Sequence, residues 1–377
     1  MAKLGDVCTI VSGTTPKTSV SEYWDGDINW ITPAELNEDT VVINESKRKI
    51  TKAGVNSCGL SPFPAGTVIL SSRAPIGKTA IAGTEMYCNQ GFKNLICSDK
   101  IHNKYLFWFL RSKTEMLNSL GRGATFKEIS KSIVENIEIP LPDISEQRRI
   151  ADTLDKVSEG IEVCRKMLGE LDLMVKAKFG EMFGNIPETE FVTMGSVCSL
   201  ITDGTHQPPK FVDSGIPFLF VSNITTNMLT YNAEKFISAE TYAELMKRTP
   251  VEIGDILLST VGSYGHPAIV KSNKQFSFQR HIAFLKPRHN IIDSTFLHSA
   301  ILTAGVQRQI EAKVKGIAQK TLNLSEIRTL RFPLPPLQEQ ERYAALVKNI
   351  NKSKLTIQEI RDKMETEKLA LMQGYFK

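Results

Sequence analysis

Little in this chain suits catalysis of its own. The histidines, at 102, 206, 266, 281, 289 and 298, are dispersed without metal-ligand spacing. His206 lies near Asp203, but no nucleophile elbow accompanies them, and a polar loop is the simpler reading. There is no GxxxxGK(S/T) phosphate loop, and Gly121-Arg122-Gly123 lacks the third glycine of a GxGxxG turn. Neither Asn-Pro-Pro-(Phe/Tyr) nor Asp-Pro-Pro-Tyr occurs, the segments with which amino-methyltransferases hold a flipped base. The six cysteines (8, 58, 88, 97, 164, 198) are scattered with no CxxC, which points to small buried hydrophobes in a reducing compartment rather than zinc or disulfides. No run of about 18 apolar residues is present, so no membrane span is expected. The opening MAKLGDVCTI lacks the hydrophobic stretch of a signal peptide, and a cytoplasmic protein is expected.

What the chain has is two long helical patterns. Between 145 and 183, apolar side chains fall at Ile150, Leu154, Val157, Ile161, Cys164, Leu168, Leu171 and Val175, in alternating steps of four and three. That is the seam of a helix packed lengthwise on another helix. Pro140-Leu141-Pro142-Asp143 precedes it and Gly184, Asn185 and Pro187 follow, as start and stop signals. At about 1.5 Å per residue such a rod is roughly 60 Å long. A second rod follows Phe332-Pro333-Leu334-Pro335, with Gln340 answering Gln147 at an offset of 193 residues. Its apolar face is expected one residue over, through Leu346, Ile350, Ile357, Ile360, Met364 and Leu371, because Lys354, Arg361 and Lys368 occupy the positions of Ile161, Leu168 and Val175. Helices of this kind need a partner in water, so the two rods are expected to pair with each other.

The segments before the rods also repeat. Gly5-Asp6-Val7-Cys8 is answered by Gly195-Ser196-Val197-Cys198, Val68-Ile69-Leu70-Ser71-Ser72 by Ile256-Leu257-Leu258-Ser259-Thr260, Gly77 by Gly265 and Gln90 by Gln279. Short strands with one or two helices imply an α+β domain twice over. The chain length of 377 residues accommodates this. The order is a globule at 1–142, a rod at 143–185, a globule at 186–335 and a rod at 336–377. Shared positions are turns and core; differing ones are mainly polar loops, so one scaffold presents two surfaces. Antiparallel rods would relate the globules by a pseudo-twofold rotation, a geometry suited to duplex DNA with half-sites about one helical turn apart, roughly 34 Å. The net charge of +5 is a mild hint in the same direction.

The Pro-Leu-Pro linkers with Glu146-Gln147-Arg148-Arg149 and Glu339-Gln340-Glu341-Arg342, the strand-turn Val68–Arg73 with Ile76-Gly77, Asp203-Gly204-Thr205-His206 and Gly123-Ala124-Thr125-Phe126 together resemble the specificity subunits of type I restriction–modification systems. The resemblance covers essentially the whole chain. It implies two target-recognition domains separated and followed by long α-helices that pair as an antiparallel coiled coil, in a non-catalytic reader of a bipartite DNA site. It also implies two methyltransferase subunits and, through them, restriction subunits as partners. S-adenosylmethionine, ATP and Mg²⁺ would then be held by those partners and by none of this chain's residues. Under that reading the loops supply the DNA contacts, because Arg, Lys, Gln and Asn can pair with base edges while hydroxyls hold phosphate. The candidates are Ser72, Arg73, Lys78, Gln90, Lys93, Arg122, Thr125 and Lys127 in the first domain. In the second they are Thr205, His206, Gln207, Lys210, Thr260, Tyr264, His266, Gln279, Arg280 and Lys320. The first rod's face opposite its seam, with Met167, Met174, Phe179 and Met182, is the expected docking surface. Two other readings fit the pattern: a stand-alone two-headed DNA-binding regulator, and a coiled-coil scaffold whose globules bind proteins.

Overall fold

The computed structural model describes residues 1–37, 40–73, 75–122, 127–316 and 320–377. The backbone divides into two compact units, Met1–Arg165 with Glu359–Lys377, and Lys166–Gln358. Among the described residues no helix is long and apolar enough to cross a membrane.

In the first unit, a five-stranded sheet runs in the order Cys8–Val11, Asn94–Cys97, Val68–Leu70, Thr79–Ala82, Val42–Ile43. Val68, Ile69 and Leu70 are all fully buried. A strand apolar at every position is what a sheet covered on both faces requires. One cover is the helix Asn103–Ser112, whose run from Tyr105 to Leu110 is entirely buried. That aromatic run is domain core. A three-stranded sheet, Lys49–Ile50, Trp24–Ile31, Tyr87–Cys88, carries a smaller core of Trp24, Trp30 and Ile50.

The second unit repeats the plan. Its main sheet is ordered Cys198–Asp203, Ile282–Pro287, Ile256–Ser259, Pro267–Ile269, so the fully buried strand again lies inside. A second sheet is ordered Phe211–Val212, Lys235–Ile237, Ile216–Leu219, Ser277–Phe278. The helices Ser294–Ile301, Ala304–Lys313 and Leu324–Arg328 stand where Asn103–Ser112, Thr114–Leu120 and Lys131–Glu135 stand in the first unit. Each copy is closed by a short antiparallel pair joining its first strand to its last: Ala2–Lys3 with Glu138–Ile139, and Phe191–Thr193 with Arg331–Pro333.

Each copy then runs into a long helix, Ile144–Phe183 or Leu337–Tyr375. The paired glutamines, both fully buried, fix the junctions. Gln147 Oε1 accepts from the His102 amide (2.8 Å), while its Nε2 donates to the carbonyls of Pro142 (2.9 Å) and Lys100 (3.0 Å). Gln340 does the same with the Asp293 amide (2.9 Å) and the carbonyls of Pro335 (2.8 Å) and Ile291 (3.2 Å). One side chain thus satisfies a carbonyl of the proline linker together with an amide and a carbonyl of the segment that leads into the covering helix.

The two helices pair antiparallel inside each unit. In the first, Ile150 and Leu154 share a core with Met372 and Phe376, and Arg165 reaches Glu365 at 3.6 Å. A side chain at Gly160 would meet the end of the Met364 side chain, which would have to swing aside. In the second, Lys354 is 2.5 Å from Asp172, and Tyr343 donates to the Val175 carbonyl at 3.3 Å. The expected second seam holds at Ile350, Met364 and Leu371 and is corrected at Ile360, which is exposed; Tyr343, Val347, Met372 and Phe376 are buried alongside it. The three cations remain at seam positions. Lys354 is neutralised by Asp172, Arg361 by Asp362 at 2.7 Å, and the Lys368 ammonium lies 4.8 Å from the centre of the Trp108 ring. Their long stems cover apolar surface while the charged ends reach partners.

Candidate nucleic-acid interface

In each unit four loop segments converge at the end of the buried central strand, and its last residues hold them there. Ser71 Oγ accepts from the Lys78 amide and Ser259 Oγ from the His266 amide, both at 2.9 Å, closing the loop that follows the strand. Gly77 (φ +94) and Gly265 (φ +82) make the turn in a region that favours glycine. The next residue binds two more segments. Ser72 donates its amide to Gly91 and accepts from the Ile129 amide; Thr260 does so with His281 and Leu322. This brings in residues 89–93 and 279–281, and the hairpins paired at Arg122 with Glu128 and at Lys315 with Thr321. The fourth segment follows the edge strand. Gly13 and Gly204 press so closely on the carbonyls of Cys88 and Phe278 that a side chain at either would collide. Beside them, Thr15 Oγ1 donates to Gln90 Oε1 (2.6 Å), and the Arg280 amide donates to the Thr205 carbonyl (3.1 Å).

The scaffold is the same twice, but the side chains on it differ. In the first unit Arg122, Lys127 and Gln90 are exposed. Arg73 is half-exposed, with Nε 2.8 Å from Glu128 Oε2. Lys93 is buried and lies 3.2 Å from Glu128 Oε1 and 3.4 Å from Ser72 Oγ. Burial pushes the Glu128 carboxyl up, but the hydrogen bonds from Arg73 and Lys93 outweigh it and hold the group below its ordinary range. Lys78 is turned away, donating to the carbonyls of Leu36 (2.6 Å) and Pro33 (3.3 Å). Ser72, Lys93 and Lys78 therefore build the loop cluster from within. Thr125 lies outside the described residues.

In the second unit His206, Gln207, Lys210, Arg280 and Lys320 are exposed, and Thr205 and Gln279 are half-buried. His206 Nε2 is 2.8 Å from Asp203 Oδ2, and Arg248 Nη2 is 2.5 Å from Asp203 Oδ1, so one carboxylate orients both. His266 is held through Nδ1 by Asn227 Oδ1 at 3.0 Å. Tyr264 packs on the domain core, and Thr260 is buried in the role of Ser72. Reading the sequence missed Glu128, Arg248 and Asn227. Glu128 stands beside Lys127 in the sequence, and a carboxylate among the selected cations was the available signal. Arg248 and Asn227 are far in sequence from their partners and gave no local signal.

The expected docking face separates into two parts. Met167 and Met174 are exposed on the first long helix. Phe179 is not on that face: it is buried, stacked on Phe296 (5.3 Å between ring centres) and edge-on to Phe183 and Tyr343. Met182 is partly buried against the same cluster. The helix turns these two positions toward its own unit because Phe296 and Tyr343 offer an aromatic pocket there. Among the described residues, no group of His, Cys, Asp and Glu is arranged to hold a metal ion.

Residues 1–172 and 188–366 both match the family described as the type I restriction modification DNA specificity domain. The chain belongs to that family, and carries its domain twice. It is 29% identical, over 96% of its own length and 90% of the relative's, to the type I restriction enzyme MjaIX specificity subunit of Methanocaldococcus jannaschii. Against the EcoBI specificity subunit of Escherichia coli the identity is 22%, over 80% of this chain and 72% of the relative. In fold it resembles the S subunit of a type I restriction–modification system from M. genitalium, with a TM-score of 0.59, 14% identity, and coverage of 100% and 95% of the two chains.

Proposed function

We propose that this chain is the sequence-specific DNA-recognition subunit of a type I restriction–modification enzyme, each unit reading one half of a bipartite, asymmetric site. The observation that carries this reading is the twice-built loop cluster. Matching backbone hydrogen bonds at Ser72 and Thr260 gather the loops that carry Arg73, Gln90, Arg122 and Lys127 in one copy, and Gln279, Arg280 and Lys320, beside His206 and Gln207, in the other. A shared frame with unlike donors and acceptors is what two different half-sites demand. In this reading the chain contributes recognition and no catalytic group. Methyl transfer and cleavage fall to methyltransferase subunits docked on Met167, Met174 and neighbouring exposed positions, and to restriction subunits bound through them. S-adenosylmethionine, ATP and Mg²⁺ belong to those partners.

The test is a gel shift with the chain alone and with its methyltransferase partner, at two salt concentrations. Tight specific binding is expected only for the complex, with affinity falling steeply as salt rises. Equally tight specific binding by the isolated chain would favour a stand-alone regulator, and salt-insensitive binding would overturn the reading.

A further inference from the structure

Two of the cysteines face each other across a strand pair. The strands Cys8–Val11 and Asn94–Cys97 are antiparallel, with Cys8 directly opposite Cys97. The Ser98 amide donates to the Val7 carbonyl (2.9 Å), which makes Val7 and Ser98 a hydrogen-bonded pair. Pairs alternate along an antiparallel ladder, so Cys8 and Cys97 form a non-hydrogen-bonded pair, the kind with Cα atoms about 4.5 Å apart and the closer side chains. That separation falls at the short end of the range a disulfide spans. Directly opposite side chains of such a pair stand on the same face of the sheet, so the two thiols are neighbours there.

The pair is reachable from one side. Cys97 is half-buried and lines a cleft of about 380 Å³ together with Ser98, Asp99, His102, Asn103 and Arg148. Cys8 is buried behind it, 8% exposed. The second unit has no such pair, because Cys198 stands opposite Pro287.

We propose that Cys97 is a thiolation site for low-molecular-weight disulfides of the glutathione type, with Cys8 as its resolving thiol. The Cys97 thiolate attacks one sulfur of the small disulfide, forming a mixed disulfide and releasing one thiolate. Cys8 then attacks Cys97 Sγ, breaking the mixed disulfide and passing its proton to the departing sulfur, which leaves as the second thiol while a Cys8–Cys97 bond forms. In sum, the small disulfide is reduced to two thiols and the two protein thiols are oxidised to one disulfide. The cleft admits the reagent, and Arg148 at its wall suits the carboxylates of such a peptide. The product staples the edge strand to the strand that the loop 89–93 enters, and an added thiol reductant reverses it.

The full-length chain, incubated with oxidised glutathione and digested without reduction, tests this by mass spectrometry. The expected product is a Cys8 peptide joined to a Cys97 peptide, two hydrogens lighter than their sum, with a raised melting temperature that reductant reverses. Cys8→Ser should trap a stable glutathionyl group on Cys97, and Cys97→Ser should leave Cys8 unmodified. Should either variant fail to fold, the linked peptide from the unaltered chain decides the matter. Its absence while the half-buried Cys58 becomes glutathionylated, or a lasting mixed disulfide at Cys97 in the unaltered chain, would overturn the proposal.

Discussion

Glu128 shows how single side chains set what the loops can present. It ties down Arg73 and the buried Lys93 at once, so the first unit carries a neutralised cluster beside the exposed cations Arg122 and Lys127. Its carboxyl is held below the ordinary range in the folded chain. A depressed carboxylate contributes stability above its unfolded value, about 4.3 for Glu, and that contribution disappears as pH falls through the folded value. Glu128→Gln is therefore expected to lower the melting temperature at neutral pH, and the gap to the unaltered chain should close below about pH 4. The direct ion pair with the half-exposed Arg73 is worth at most about 1 kcal/mol. A gap that stays constant from pH 7 to pH 3 would contradict this assignment. Arg122 and Lys127 are expected to contact phosphate. Replacing both with alanine should reduce the slope of log affinity against log salt by roughly 2, about 0.9 per contact. An unchanged slope in a binding titration of the complex would remove them from the interface.

The long helices show where an element's sequence pattern is sufficient and where it is not. Their existence, limits and pairing are legible because a heptad seam bounded by proline and glycine admits few other structures. The face taken by individual residues was harder to read. Ile360 was expected in the second seam and is exposed, because Arg361 and Lys368 can lay their stems inward and find partners for their charges at the ends. Phe179 was expected outside and is core, because its environment is supplied by Phe296 and Tyr343, more than a hundred residues away. No local pattern records that. Two substitutions separate the roles. Phe179→Ala should destabilise the second unit by about 3–5 kcal/mol, seen as an earlier denaturant midpoint. Met174→Glu, on the exposed side, should change stability by no more than about 0.5 kcal/mol yet reduce co-purification with the methyltransferase subunit. If Met174→Glu co-purifies as well as the unaltered chain, that face is not the docking surface.

At the level of the whole molecule, duplication is the organising fact. The repeated anchors in the sequence (Gln147 and Gln340, Gly77 and Gly265, Ser71 and Ser259) prove to be the same backbone supports in both copies. They were legible because a turn or a buried hydrogen bond constrains residue type. The loop side chains were legible only as an inventory. Whether a lysine faces outward, like Lys127, or ties off carbonyls, like Lys78, depends on neighbours the sequence does not name. If two unlike readers share one frame, altering the contacts of one should leave the other's half-site intact. Methylome sequencing tests this in cells carrying the complete system with either the unaltered chain or a chain whose Gln207, Gln279 and Arg280 are replaced by alanine. The expected result is a bipartite methylated motif in which one half keeps its sequence and the other is relaxed or lost. A continuous motif, or loss of specificity in both halves together, would contradict the account.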